Sequence, residues 1–366
     1  MTDRNARNEA IPMLTRVVRL HGKRDLKVES EGYKAPRPGE VLLRMAMGGI
    51  CGSDLHYYQD GGFGPIRVRE PIISGHEASG FVEAIGDGVS GLSVGSLVAV
   101  NPSQPCGHCH YCSIGQPIHC LEMRFMGSAM RLPHEQGMFR DHLVVPAIQC
   151  HPVSADVSPA EAACAEPLAV CLHAVSQAGD LKNKRVLVTG AGPIGLLTVA
   201  TARYAGAAEI IVTDLADAAL ARAPAMGATE TVNVAENAEA LSPYLEGKGT
   251  IDVAFDCSAA GPALRTAFAA LKPRGTLVQV GVTGDVTIPL NMLVGKEINW
   301  RGSQRFDHEF AEAVDLISRR AIDVRPILSH TYPLEDAVSA FEQASDRSVA
   351  CKVQIALFDH ETGRPE

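Results

Sequence analysis

The run Arg185-Val-Leu-Val-Thr189 passes straight into Gly190-Ala-Gly192-Pro-Ile-Gly195, and no other stretch limits the fold of this chain so sharply. The apolar run reads as a buried strand, and a helix begins at Pro193, where proline's missing N–H costs nothing. Gly190 permits the tight turn, Gly192 lets the backbone approach a pyrophosphate, and Gly195 lets helix and strand pack closely, with the helix N-terminus facing the anion. The next strand, Glu209-Ile-Ile-Val-Thr213, leads into Asp214, 19 residues after Gly195, where a carboxylate accepts hydrogen bonds from the adenosine ribose. A dinucleotide site is therefore expected from Gly190, Gly192, Pro193, Ile194, Gly195 and Asp214. Asp214 repels a 2′-phosphate, and Leu215 and Ala216 offer no cation. NAD is expected over NADP, with Arg222 the one nearby residue able to change that preference.

Ala-rich helical stretches alternate with strands at 251–255 and 276–280, the pattern of a doubly wound parallel sheet. The first third differs: short strands at 17–20, 40–46, 80–85, 96–100 and 142–145 lie between Gly and Pro punctuation and suit an antiparallel, barrel-like domain. After Gly302 a helix is expected over 307–319, then strand and turn material including 349–356 that returns to the first domain. The fold class is thus α/β plus β: residues 1–164 and 303–366 form the mainly antiparallel domain, with a lobe at about 101–122, and 165–302 form the Rossmann domain.

Composition narrows the function. With 33 basic against 42 acidic residues the net charge is −9, so no global positive field exists to hold nucleic acid or an anionic membrane. The uncharged run 186–202 is broken by Gly190, Gly192, Pro193 and Gly195 and reads as soluble core, not a membrane span. Residues 1–10 lack the apolar stretch of a secretory signal. A cytoplasmic setting is expected, in which the ten cysteines stay reduced for metal binding or packing.

Cys106, Cys109, Cys112 and Cys120 fall within fifteen positions, a spacing that suits a closed tetrahedral zinc site. A disulfide pair and an iron–sulfur cluster are the rivals. The compartment argues against the first and the misplaced fourth cysteine against the second. A second set is dispersed: Cys51 in Gly49-Ile-Cys-Gly-Ser-Asp54, Gly75-His76-Glu77, and Ala165-Glu166-Pro167. None is specific alone. Together a thiolate, an imidazole and a carboxylate leave one zinc position open, as a Lewis-acid site requires. With a hydride acceptor at hand, the chemistry is oxidation of an alcohol. Ser53 is placed to pass the hydroxyl proton toward a ribose hydroxyl, and His56 to deliver it to water.

These residues resemble the zinc-dependent medium-chain dehydrogenases/reductases, and within them the polyol branch. The resemblance rests on Cys51-Gly-Ser-Asp-Leu-His-Tyr57, Gly75-His-Glu-Ala-Ser-Gly80, Glu166-Pro-Leu168, Gly190 to Gly195 and Val212-Thr-Asp-Leu215, and it covers nearly the whole chain. It implies a GroES-like catalytic domain beside the Rossmann domain, two zinc ions per chain and a homodimer or homotetramer. Cys51, His76 and either Glu77 or Glu166 hold the catalytic zinc by this likeness. Tyr57, Glu166, Arg305 and Phe306 fall where substrate hydroxyls are contacted, and Val280, Gly281 and Val282 where the nicotinamide end is held. Two departures matter: animal sorbitol dehydrogenases generally lack the four-cysteine lobe, and the arginine that some place five residues after the ribose-binding aspartate is Ala219 here.

The substrate class implied is a polyol or a sugar acid. A carboxylate bound away from bulk water calls for the planar fork of an arginine, and Arg124 and Arg305 are the candidates. Two other readings are kept: a threonine-type or simple-alcohol dehydrogenase, and a NAD- and zinc-binding protein without turnover.

Overall fold

The computed structural model describes residues 13–282 and 284–358. Six strands form one fully parallel sheet in the order Glu230–Asn233, Glu209–Asp214, Arg185–Thr189, Ile251–Asp256, Leu271–Gln279, Asn299–Gly302. Numbered along the chain this is 3-2-1-4-5-6, so the strand order reverses between Arg185–Thr189 and Ile251–Asp256, where a crevice opens at the strands' carboxyl ends. The run 186–202 becomes the central strand, the glycine turn and helix Pro193–Tyr204, buried along Gly195 to Ala202. Among the described residues no helix is long and apolar enough to cross a membrane.

The second large sheet is mainly antiparallel. Its order is Cys150–Pro152, Leu97–Val100, Glu77–Ile85, Glu40–Gly49, Lys352–Ala356, Leu328–Pro333, with His142–Pro146 also pairing with Glu40–Gly49. Strand Lys352–Ala356 joins Glu40–Gly49 through Gln354↔Gly49 and Ala356↔Met47, which sets Lys352 beside the start of the Cys51 segment. A hairpin of Met13–Gly22 and Asp25–Tyr33 packs alongside. Its second strand was not expected, because the polar sequence Asp25-Leu-Lys-Val-Glu-Ser-Glu-Gly-Tyr33 buries only Leu26 and carries little apolar alternation.

The chain after Gly302 serves both cores. Helix Glu309–Ser318, within the expected 307–319, buries Phe310, Ala313, Leu316 and Ile317 against the core of helix Ala165–Ala178. Residues 334–357 instead bury Leu334, Phe341, Val353 and Ile355 with Val41 and Met45 of the antiparallel sheet and with Phe139. A change of partner core within one segment follows from its two apolar faces, not from a break in composition.

Candidate catalytic metal centre and cofactor cleft

Cys51 caps helix Gly52–Asp60, and its backbone N–H donates to Asp54 Oδ2 at 3.0 Å. Asp54 is buried and also accepts the Gly75 N–H at 3.2 Å, while its Oδ1 lies 3.8 Å from His76 Nδ1. One carboxylate thus ties the Cys51 turn to the His76 turn. Gly75 cannot be replaced cheaply: its φ is +94°, and a Cβ there would lie 2.1 Å from Phe139 Cδ1. Glu77 opens the buried strand that follows. Ligand atoms of Cys51, His76 and Glu77 lie within 4.8 Å of one another, so these distant stretches do converge. The donor set, one sulfur, one nitrogen and a carboxylate with a fourth position facing the cleft, fits zinc with an open site.

Glu77 is held from behind. Lys352 Nζ donates to both of its oxygens, at 2.8 and 2.7 Å, and to the Ile50 carbonyl at 3.1 Å, all in a buried setting. Burial works against the Lys352 charge, but the Glu77 carboxylate more than offsets it and holds the ammonium above the usual lysine range. Each Glu77 oxygen keeps a free lone pair for a metal. Glu166 faces the same cavity from the first turn of helix Ala165–Ala178. Burial pushes its carboxyl up to about 8; His76 opposes the rise, and negative Glu77 and Cys51 add to it. Burial likewise pushes the Cys51 thiol up to about 11, with Glu77 adding to it. A cation between these groups would favour their charged forms.

The four lobe cysteines also assemble. Sγ–Sγ distances are 4.0 Å for Cys106–Cys112, 3.6 Å for Cys109–Cys112 and 3.9 Å for Cys109–Cys120. A tetrahedron of sulfurs about 2.3 Å from a zinc ion has edges of about 3.8 Å, whereas a disulfide needs about 2.05 Å. Sulfurs accept the Cys106 and Glu122 N–H groups at Cys120 and the Leu121 N–H at Cys109, as thiolates do. His108, His110 and His119 stay outside the four-sulfur cluster.

A cavity of about 1280 Å³ runs from the three ligands to the parallel sheet's crevice. Ser53, His56, Tyr57 and Arg305 line it on the substrate side, and Ile194, Val280, Gly281 and Val282 on the cofactor side. Ser53 lies two residues after Cys51 on the cavity wall, and half-buried His56 reaches Asp60 at 3.2 Å. The Tyr57 hydroxyl accepts the Ala129 N–H at 3.3 Å. Gly190 and Gly195 form a close pair: a Cβ at Gly195 would sit 1.8 Å from the Gly190 carbonyl oxygen, while Gly192 faces open space. Asp214 accepts the Ala191 N–H at 2.7 Å and the Leu215 and Ala216 N–H groups, which stiffens the loop and leaves acceptor capacity for a ribose. Buried Gln279 Oε1 and Ser303 Oγ, both at the cleft, find no hydrogen-bond partner among the described residues. Unpartnered polar atoms of this kind suit a polar cofactor amide.

Two expected substrate contacts fall elsewhere. Arg124 pairs with Glu135 at 2.5 Å on the exterior and does not line the cavity, since strand pairing of Arg124–Phe125 turns Phe125 inward and Arg124 outward. Phe306 is buried behind the wall, packed on Phe125 and Phe310. Asp54 and Lys352 were missed. The Cys51-x-x-Asp54 spacing of a helix cap was a legible signal for the first. For the second the signal was a lone lysine inside the apolar stretch 349–356.

A parallel 3-2-1-4-5-6 sheet with a glycine turn, joined to a three-ligand metal site at its crevice, defines a dinucleotide- and zinc-dependent alcohol oxidoreductase. Comparison agrees. Residues 37–155 match the alcohol dehydrogenase GroES-like domain family, and residues 193–319 the zinc-binding dehydrogenase family. The L-idonate 5-dehydrogenase (NAD(P)(+)) of Escherichia coli (strain K12) is 42% identical over 87% of this chain and 92% of its own. The sorbitol dehydrogenase of Pongo abelii is 35% identical over 88% and 90%. A crystal structure of L-idonate 5-dehydrogenase from E. coli K-12 superposes with a TM-score of 0.90 at 39% identity, covering 94% of this chain and 99% of that one. The chain belongs to the zinc-dependent medium-chain dehydrogenase family and, within it, to the polyol dehydrogenases.

Proposed function

We propose that this enzyme oxidises the C5 hydroxyl of a six-carbon sugar acid, L-idonate, to 5-keto-D-gluconate, with NAD as the preferred acceptor. Bound zinc supplies Lewis acidity toward the alcohol oxygen, and bound NAD accepts the hydride from the carbinol carbon. The chain's own groups do the rest. Cys51, His76 and one of Glu77 and Glu166 hold the metal at the cavity wall, and Cys106, Cys109, Cys112 and Cys120 hold a second ion in the lobe. Ser53 Oγ and then His56, half-buried on the cavity wall, carry the hydroxyl proton to water. Tyr57 and Glu166 face the substrate hydroxyls.

The observation that carries the sugar-acid reading is Arg305. It lines the cavity, has no ion pair among the described residues, and stacks its guanidinium 4.1 Å from the centre of the Phe125 ring. Its φ of +50° holds a non-glycine residue in a sparsely populated region, a strain that collects at binding sites. Burial lowers its pKa, with Glu166 and Tyr57 opposing, yet it stays charged. A half-buried cation that lines the cavity with no ion pair among the described residues is suited to an anionic substrate. Phe125 touches both: its ring centre lies 5.6 Å from that of His76, and the Arg305 guanidinium lies over its face. Arg305→Ala is expected to lower the L-idonate-to-sorbitol ratio of kcat/KM by about 10- to 100-fold, the worth of a charge-assisted hydrogen bond. Arg124→Ala is expected to leave that ratio alone. Steady-state rates on both substrates decide, and an unchanged ratio in Arg305→Ala returns the enzyme to the sorbitol/xylitol class.

The NAD preference rests on Asp214, because Arg222 is already engaged by the Ala218 and Val349 carbonyls. Asp214→Asn keeps the shape and one acceptor but removes the charge, and is expected to narrow the NAD-to-NADP ratio of kcat/KM by about tenfold. Equal ratios in the two proteins would remove Asp214 from cofactor choice. An oligomer is supported by strand Asn299–Gly302, exposed at the end of the parallel sheet beside exposed Leu290, Val294 and Trp300, since open apolar strand edges in soluble proteins are normally covered.

A further inference from the structure

Behind Arg305 the cleft opens into a smaller chamber of about 490 Å³ against the four-cysteine lobe. Arg305, Gln304, Met130, Ile118 and His119 line both spaces, with Gln304, Met130 and His119 open to solvent, and Tyr111, Cys120 and Met123 line only the chamber. Polar groups there come from two directions. Gln304 and Arg305 follow strand Asn299–Gly302, whereas Tyr111 and His119 belong to the lobe and stack edge-on at 6.1 Å. The lobe segment is not a free loop. Cys112 and Cys120 bracket residues 113–119, the His119 N–H donates to the Gln116 carbonyl at 3.0 Å, and Arg131 Nε closes the base through the Met123 carbonyl at 2.7 Å. A clamped segment holds a side chain in place as a strand would.

We propose that this chamber receives the end of the substrate remote from the reacting carbon, and that His119 and Gln304 are specificity-determining residues there. The inference rests on the sugar-acid reading and extends it. Arg305 takes the carboxylate at the chamber mouth, and the His119 ring and the Gln304 amide bond the oxygens beside it. The lobe then has a second task besides stability: it carries one wall of the substrate site.

The test uses the zinc-loaded enzyme with L-idonate and with sorbitol, a chain of equal length and neutral end. For His119→Ala and Gln304→Ala, KM for L-idonate is expected to rise about tenfold, the worth of one or two hydrogen bonds. The effect should fall on KM and not on kcat, and KM for NAD should hold. An unchanged KM in both variants, or kcat falling in step with KM for NAD, overturns the proposal. Gln304 lies outside the lobe, so its variant reads the chamber even if His119→Ala disturbs the lobe metal. Wild-type enzyme that turns over sorbitol but not L-idonate would defeat the sugar-acid reading instead; the chamber is then judged by KM for sorbitol in the same variants.

Discussion

Cys51→Ala is expected to lower kcat/KM for polyol or sugar-acid oxidation by at least about 10³-fold, the several kcal/mol that Lewis-acid assistance supplies. Zinc content should fall by one ion per chain, and NADH binding, read by its fluorescence, should persist because the glycine turn and Asp214 are untouched. The contrast is Cys112→Ala. It removes one of the four lobe sulfurs and none of the three-ligand site, so it should act first on thermal stability. Activity above about a hundredth of wild type in Cys51→Ala would separate the reaction from the Cys51–His76–Glu77 site. The same site predicts how metal uptake depends on pH. The Cys51 thiol is pushed up to about 11 and is protonated near neutrality, so zinc must displace its proton. Raising the pH from 6 to 8 therefore strengthens zinc binding to the metal-free protein, by up to about tenfold per unit for each proton released.

What could be read from the sequence followed from local signals. The central strand and its glycine turn were legible because a strand buried on both faces is an unbroken apolar run, and the turn needs glycine where Gly190 takes a positive φ and Gly195 lies against the Gly190 carbonyl. The lobe was legible because all four sulfurs lie within fifteen residues. Strands Glu230–Asn233 and Asn299–Gly302 were not: they are short and flank the sheet, and the second is exposed along its whole length. Choosing between Arg124 and Arg305 needed the side of the strand, and the side was set by a two-residue pairing with Ser103–Gln104 that carries no sequence pattern. Phe306 illustrates the opposite error. An aromatic next to a cleft arginine reads as a contact, yet burial against Phe310 makes it the wall's filling.

The lysine behind Glu77 lay beyond sequence reading because its partner is 275 positions away. Lys352→Met should show what that pairing does. Removing one member of a fully buried ion pair leaves a carboxylate uncompensated, at about 3–5 kcal/mol, and a chain of this size should lose on the order of 10 °C in Tm. The loss should be largest in metal-free protein, where nothing else neutralises Glu77, and adding Glu77→Gln should recover much of it, as expected for coupled neighbours. An unchanged Tm in metal-free Lys352→Met would mean that the pair contributes nothing to stability. Zinc affinity of the same variant then distinguishes the two candidate ligands. If Glu77 is the third ligand, freeing both of its oxygens from the ammonium makes the site more negative at the metal itself and tightens zinc binding. If Glu166 is the ligand, Glu77 acts only through space, and the change in affinity should be small beside that in Glu166→Gln.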